Sequence, residues 1–185
     1  MKIGILGNKN SDHEKVAKEI CKLNNFKKVR FSKILSVKDL VSFVDEGFLD
    51  YGVLPINNSE SGDIISSVEA LSRGNVEIVY AKPFNCHNYL FTKDYVKMED
   101  IKKIYCTEQA MMECSKFLED VNREVIVVND SFILARYLKE NILDDSSSII
   151  CEYDYGSKFD LFLKRKNIEN QNSATTFVLI KKSEN

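Results

Sequence analysis

Charge of either sign is not in excess in this sequence: 26 lysine and arginine residues stand against 28 aspartate and glutamate residues, interspersed along the chain. Without a basic stripe there is no footprint for a phosphate backbone, which excludes nucleic acid as an expected partner. Long apolar runs are missing as well. The run from Met1 to Gly7 is too short for the core of a secretory signal, and no stretch approaches membrane-spanning length, so a cytoplasmic protein with no membrane partner is expected. Metal chemistry has little to draw on. There are two histidines and no Cys-x-x-Cys, and the five cysteines, Cys21, Cys86, Cys106, Cys114 and Cys151, lie mostly within apolar runs and read as buried free thiols. Gly-x-Ser-x-Gly, His-Glu-x-x-His and phosphate-cradling glycine patterns are all absent, so no general catalytic motif assigns a reaction.

What is present is a chain of 185 residues, 44% hydrophobic, enough to bury a core as one domain or two small lobes. The order of apolar segments sets the fold class. Lys2 to Leu6, Lys28 to Phe31 and Tyr51 to Ile56 read as strands, separated by helices from Asp12 (inner face Val16, Ile20, Leu23) and over Val37 to Phe48. A helix over Asp63 to Ser72 follows, then strands over Val76 to Ala81 and Asn88 to Phe91. A second series has strands near Lys103 to Cys106, Glu124 to Val128 and Ser148 to Cys151, with helices over Glu108 to Asp120 and Ser131 to Lys139. Alternation of this kind gives an α/β fold with mixed or parallel sheets flanked by helices. After a strand-like Leu161 to Leu163, the last strand, Thr175 to Lys182, is expected to return to the first lobe. The expected division is therefore residues 1–81 with 160–185 as the first lobe and 82–159 as the second, with a periplasmic-binding-protein-like cleft between them.

One stretch, Tyr51 to Gly62, reads Tyr-Gly-Val-Leu-Pro-Ile-Asn-Asn-Ser-Glu-Ser-Gly, an apolar run that stops at a proline and gives way to small polar residues. A strand end followed by a helix start is a natural anion site, with Ser59, Ser61 and Asp63 at N-cap positions. A polar turn capped by serine fits the same residues equally well.

Three separated blocks resemble the catalytic domain of prephenate dehydratase. Val53 to Gly62 is similar to that family's Pro-Ile-Glu-Asn-Ser stretch, and Cys106-Thr107-Glu108-Gln109-Ala110-Met111-Met112-Glu113-Cys114 to its Ser-His-Pro-Gln-Ala block ending in cysteine. Ile168-Glu169-Asn170 and Asn172 to Phe177 resemble the segment ending in Thr-Arg-Phe, and His87-Asn88-Tyr89-Leu90 the family's His-x-Leu-Leu. The resemblance implies a cofactor-free lyase that turns prephenate into phenylpyruvate in phenylalanine biosynthesis, acting on a small-molecule carboxylate, with a homodimer left open. It makes Thr175 the proton-donor candidate and Asn57, Asn58, Ser59, Thr107, Gln109 and Thr176 the substrate-binding candidates. The family's C-terminal regulatory domain has no counterpart after the last strand, so feedback by that route is not expected.

The matches are not complete. Asn58, Ser59, Gln109 and Thr175 are kept, but Asn57 stands for glutamate, Thr107 for histidine, Glu108 for proline and Thr176 for arginine, and Gly7 to His13 lacks the family's Gly-Thr-Phe-Ser core. A bidentate arginine contact to a carboxylate is typically worth about 1.5–3 kcal/mol, so its loss implies about one to two powers of ten unless Lys9, Lys82, Lys103 or the helix start near Ser61 compensates. Asn57 removes one negative charge beside a dianion. The same departures fit two other readings: a non-catalytic binding or regulatory protein on this fold, and an enzyme for a related, less anionic ligand. Each residue also has a plain role: Thr175 as a β-branched strand residue, Gln109 in a first helical turn, Asn58 and Ser59 as turn formers, His13 and His87 as structural histidines.

Overall fold

A computed structural model describes residues 1–7, 9, 11–171 and 173–184. Asn8 and Asn10 of the first loop and Asn172 of the third block lie outside the described residues. The chain divides into two compact units, Met1–Cys86 with Ala174–Asn185, and His87–Ser173. Each is a sheet with helices packed on it.

In the first unit, β1 (Lys2–Ile5), α1 (Asp12–Leu23), β2 (Arg30–Lys33), α2 (Val37–Asp45) and β3 (Tyr51–Asn58) build a parallel core, β1 lying between β2 and β3. A two-residue strand β4 (Gly62–Asp63), α3 (Ile65–Arg73) and β5 (Val76–Phe84) follow. The sheet is completed by the last strand, β11 (Thr175–Lys182), which enters antiparallel between β3 and β5, giving the order β2-β1-β3-β11-β5. Both faces are covered over the central strands β1, β3 and β11, which therefore carry continuous buried runs rather than alternating ones. Val53, Phe177 and Leu179 face Val16, Ala17 and Ile20 of α1, while Leu54, Val178 and Ile180 face Leu40, Val41 and Val44 of α2.

The second unit has β6 (Tyr89–Thr92), β7 (Lys103–Thr107), α4 (Glu108–Glu113), α5 (Ser115–Val121), β8 (Glu124–Val128), α6 (Ser131–Lys139), β9 (Ser147–Cys151), α7 (Tyr153–Lys158) and β10 (Phe162–Lys166). Its sheet runs β10-β6-β9-β7-β8. Strand β7 is parallel to β8 and β9, and β6 is antiparallel to β9 and β10. Leu90, Ile104, Cys106 and Ile150 pack under α4 and α5, and Phe91, Ile149 and Cys151 under α6 and α7.

Several sequence expectations change. The segment 162–166 pairs with β6 and stays in the second unit, so the chain rejoins the first sheet at Ala174 and not near residue 160. The helix expected over Glu108 to Asp120 breaks at Cys114, whose ψ of 20° leaves the α region. The helix expected from Asp63 starts at Ile65, because Asp63 is drawn into β4 opposite Asn57, and its N-cap, Ile64, offers no side-chain acceptor. None of Ser59, Ser61 and Asp63 is therefore at the N-cap position expected of them. Leu23, expected on the inner face of its helix, is exposed, and so are Phe48, Ile65 and Val68, which share a helical spacing with buried or half-buried neighbours in the helices expected over Val37 to Phe48 and Asp63 to Ser72. No described helix is long and apolar enough to cross a membrane.

Gly4 and Gly52 lie opposite each other on β1 and β3. A Cβ on Gly52 would come within 2.4 Å of Leu40 Cδ2, so the missing side chain is the slot that seats α2 on the sheet. Overpacking there is expected to lower stability by about 1–3 kcal/mol in Gly52→Ala, read as a lower urea midpoint with unchanged slope.

Candidate functional site

The first residue of β11 lies between the last residues of both neighbours: Thr175 is opposite Asn58 on β3 and opposite Phe84 on β5. Directly opposed residues of an antiparallel pair share a face, so the two side chains meet. Asn58 Nδ2 donates to Thr175 Oγ1 at 2.9 Å, and both residues are buried. The carboxamide oxygen of Asn58 accepts from the backbone N–H groups of Glu60 (2.8 Å) and Ser61 (3.2 Å), which folds the polar loop back over the strand end. Ser59 closes the same corner, its N–H donating to the Ala174 carbonyl and its hydroxyl accepting from the Ala174 N–H, each at 2.9 Å.

A bulge aims these groups. Thr176 pairs with Asn57 and Phe177 with Pro55, which leaves Ile56 as the extra residue on β3. Bulges tolerate a proline within a sheet and shift which residues face which side. Pairing of β3 with β1 has already ended at Val53, so no ladder bond is asked of Pro55 on that side. Asn57 is tied to β4 through Nδ2 to Asp63 Oδ1 at 2.9 Å, and Thr176 is half-buried opposite it.

The other two candidates stand in the second unit. Thr107 is the N-cap of α4, its hydroxyl accepting from the Ala110 N–H at 3.2 Å. Gln109, in the first turn, donates from Nε2 to Glu113 Oε1 at 2.8 Å, and Asn88 Nδ2 donates to the other carboxylate oxygen at 2.7 Å. Glu113 is buried. A buried carboxylate is tolerated only when hydrogen-bonded, and two amides serve it here. Around it, Asn170 donates its N–H to the Glu113 carbonyl, and Glu169 bonds His87 Nδ1 (2.7 Å) and the Asn88 N–H (2.9 Å).

Three groups in these surroundings were not singled out as site residues from sequence: Cys86, whose Sγ donates to Thr175 Oγ1 at 3.8 Å, Glu113 and Asn88. The i to i+4 spacing of Gln109 and Glu113 on a helix is a signal for their pairing. Cys86 had none, because its approach depends on the register of β5 with β11. Of the lysines considered as replacements for the missing arginine, Lys82 is paired with Glu19 at 3.2 Å and Lys103 with Asp144 at 3.6 Å. Among the described residues no group of three or more potential metal ligands occurs.

A family model for prephenate dehydratase matches residues 3–185. The chain belongs to the prephenate dehydratase family. Among curated relatives, a bifunctional chorismate mutase/prephenate dehydratase of Buchnera aphidicola is 28% identical over 160 residues, covering 82% of this chain and 43% of that protein. Arogenate dehydratase 2 of Petunia hybrida is 28% identical over 106 residues, 57% of this chain and 27% of that protein. The chain thus spans less than half the length of the curated relatives it matches. A solved prephenate dehydratase from Arthrobacter aurescens, in complex with L-Phe, superposes with a TM-score of 0.80 at 19% identity, covering all of this chain and 61% of that one. At that identity the superposition speaks for the fold alone.

His13, at the start of α1, sets its ring edge-on to Phe177 at 5.2 Å, two residues along β11 from Thr175. Its Nδ1 is buried with no hydrogen-bond partner, and burial lowers its pKa from 6.5 to about 4. The folded state therefore holds a neutral ring where the unfolded chain would take up a proton. The stabilisation is complete above pH 6.5 and is lost as pH falls toward 4. In urea unfolding from about pH 7 to about pH 4, His13→Phe is expected to show a shallower fall in midpoint than the wild type.

Proposed function

We propose that this chain catalyses the decarboxylating dehydration of prephenate to phenylpyruvate, with Thr175 acting on the departing ring hydroxyl. In that reaction the ring carboxylate leaves as carbon dioxide, its bonding electrons move into the ring, and the hydroxyl at the far ring carbon leaves as water after gaining a proton. Aromatisation supplies much of the driving force. The protein's task is to hold the dianion and to place a hydrogen-bond donor at the leaving oxygen. The observation that carries the reading is the hydrogen bond from Asn58 to Thr175 across β3 and β11 in a chain of this family. A threonine hydroxyl is a weak acid, so its value here lies in a fixed direction within a dry setting. Asn58 serves in this reading by orienting Thr175 and closing the loop at Glu60 and Ser61, more than by touching substrate.

Within the first unit, recognition of a substrate carboxylate falls to Ser59, Asn57 and Thr176, each able to supply a neutral hydrogen bond, and to one cation. Lys82 and Lys103 have carboxylate partners, whereas Lys9, on the loop after β1, has no described ion pair and is the cation we assign to a substrate carboxylate. A second reading is favoured by the replacement of the family's arginine and glutamate by Thr176 and Asn57: the ligand is a less anionic relative of prephenate. Arogenate, named in the petunia relative, carries an amino group in place of the keto oxygen and so has one negative charge fewer overall.

Purified chain incubated with prephenate is expected to form phenylpyruvate, read by its enolate absorbance in alkali. Thr175→Ala is expected to lower kcat by at least about 100-fold, and Lys9→Met to raise KM by about tenfold with little change in kcat. Absence of product from prephenate, with turnover of arogenate to phenylalanine, would establish the second reading instead.

A further inference from the structure

Thr175 Oγ1 is held from two sides. Asn58 Nδ2 donates to it at 2.9 Å from β3, and Cys86 Sγ donates to it at 3.8 Å from the segment just beyond β5. The ladder explains the second approach. Thr175 is opposite Phe84, the last residue of β5, and a residue two positions further along an extended chain returns to the same face. A threonine hydroxyl has two acceptor lone pairs and one proton. With both lone pairs engaged, the proton is the part of the group left to act, and among the described residues none accepts it. A hydroxyl with an unengaged lone pair could turn about its C–O bond and accept from the leaving hydroxyl, and it would then donate no proton to the leaving oxygen.

We propose that Cys86 is a positioning residue: by donating its S–H to Thr175, alongside Asn58, it fixes the threonine hydroxyl as a donor aimed away from both. The inference rests on the reaction assigned to Thr175 above. It concerns direction and not acidity, so its signature is a change in turnover with substrate binding preserved. A thiol is a weak donor, and the effect is correspondingly small.

Cys86 can also be addressed chemically. It is half-buried, whereas Cys21, Cys106, Cys114 and Cys151 are buried, none of the five being bridged. Burial pushes Cys21 and Cys106 up to about 11 and also raises Cys114 and Cys151 well above the ordinary thiol range, so these four hold few thiolates at neutral pH and have little access to a reagent.

The test compares wild type, Cys86→Ala and Cys86→Ser with prephenate as substrate, before and after treatment with methyl methanethiosulfonate, which converts a thiol to a mixed disulfide unable to donate. Cys86→Ala is expected to lower kcat about three- to tenfold with KM within about twofold, and Cys86→Ser, which keeps a donor, to recover most of that loss. The reagent should lower the wild-type kcat, reversibly with dithiothreitol, and leave Cys86→Ala unchanged. A Cys86→Ala kcat equal to that of wild type overturns the proposal while the assigned reaction stands. So does an equal loss in alanine and serine variants, which would mark a packing role only. A wild type that makes no phenylpyruvate overturns the assigned reaction, and this proposal with it.

Discussion

The first unit depends on the antiparallel insertion of β11 between β3 and β5. Without it, β3 would be an edge and β5 would have no partner among the described strands. Its eight residues also supply the wall for both faces of the core, Phe177 and Leu179 toward α1 and Val178 and Ile180 toward α2. Buried side chains of this size each contribute on the order of 1.5–3 kcal/mol, so the strand secures the sheet before any polar contact is considered. Because the register is held by that packing, the polar groups at its leading end inherit a fixed position. Thr175 faces Asn58 for the same reason that Val178 faces Leu54.

Six of the candidate residues follow one rule in both units: Asn57, Asn58, Ser59, Thr107, Gln109 and Thr175 are each bonded to another group before any ligand arrives. Asn58 spends its carboxamide on two backbone N–H groups and one hydroxyl, Ser59 clasps Ala174, and Gln109 and Asn88 share the carboxylate of Glu113. Buried groups of this kind are costly unless paired, and once paired they are rigid. That rigidity suits a reaction in which direction counts for more than acidity. It also shifts the roles of particular residues, since a side chain whose donors and acceptors are turned inward works by holding its neighbour.

Much of this was legible in the chain itself. Thr175 to Lys182 reads as a strand from its β-branched and apolar residues, and the structure gives the same bounds. The inner face of α2 follows from Leu40, Val41 and Val44 at helical spacing, whereas of the face expected for α6 from Ile133, Leu134, Tyr137 and Leu138 only Leu134 and Leu138 are buried and Ile133 is exposed. What failed was whatever depended on a partner far away in sequence. Leu23, Phe48, Ile65 and Val68 sit at core-like spacing but stay exposed, because periodicity fixes a face without supplying what buries it. The break at Cys114 lies inside a stretch of good helix formers, and β4 is two residues long, below any periodic signal. Matching short blocks to a family found Asn58 and Thr175 separately; their contact across β3 and β11 was visible only in the folded sheet.

The discontinuity of the first unit has a consequence for how the protein is made. His87–Ser173 is one uninterrupted segment, and all of its strands are translated before Thr175–Lys182. The first unit, although begun earlier, must wait with β3 and β5 unjoined until contacts spanning 117 residues can close. Closing so long a loop is slow, and an unjoined apolar strand is a template for wrong pairing. The half of the molecule synthesised first is therefore the last to be completed, and nascent chains are exposed to aggregation for the time it takes to translate the other half.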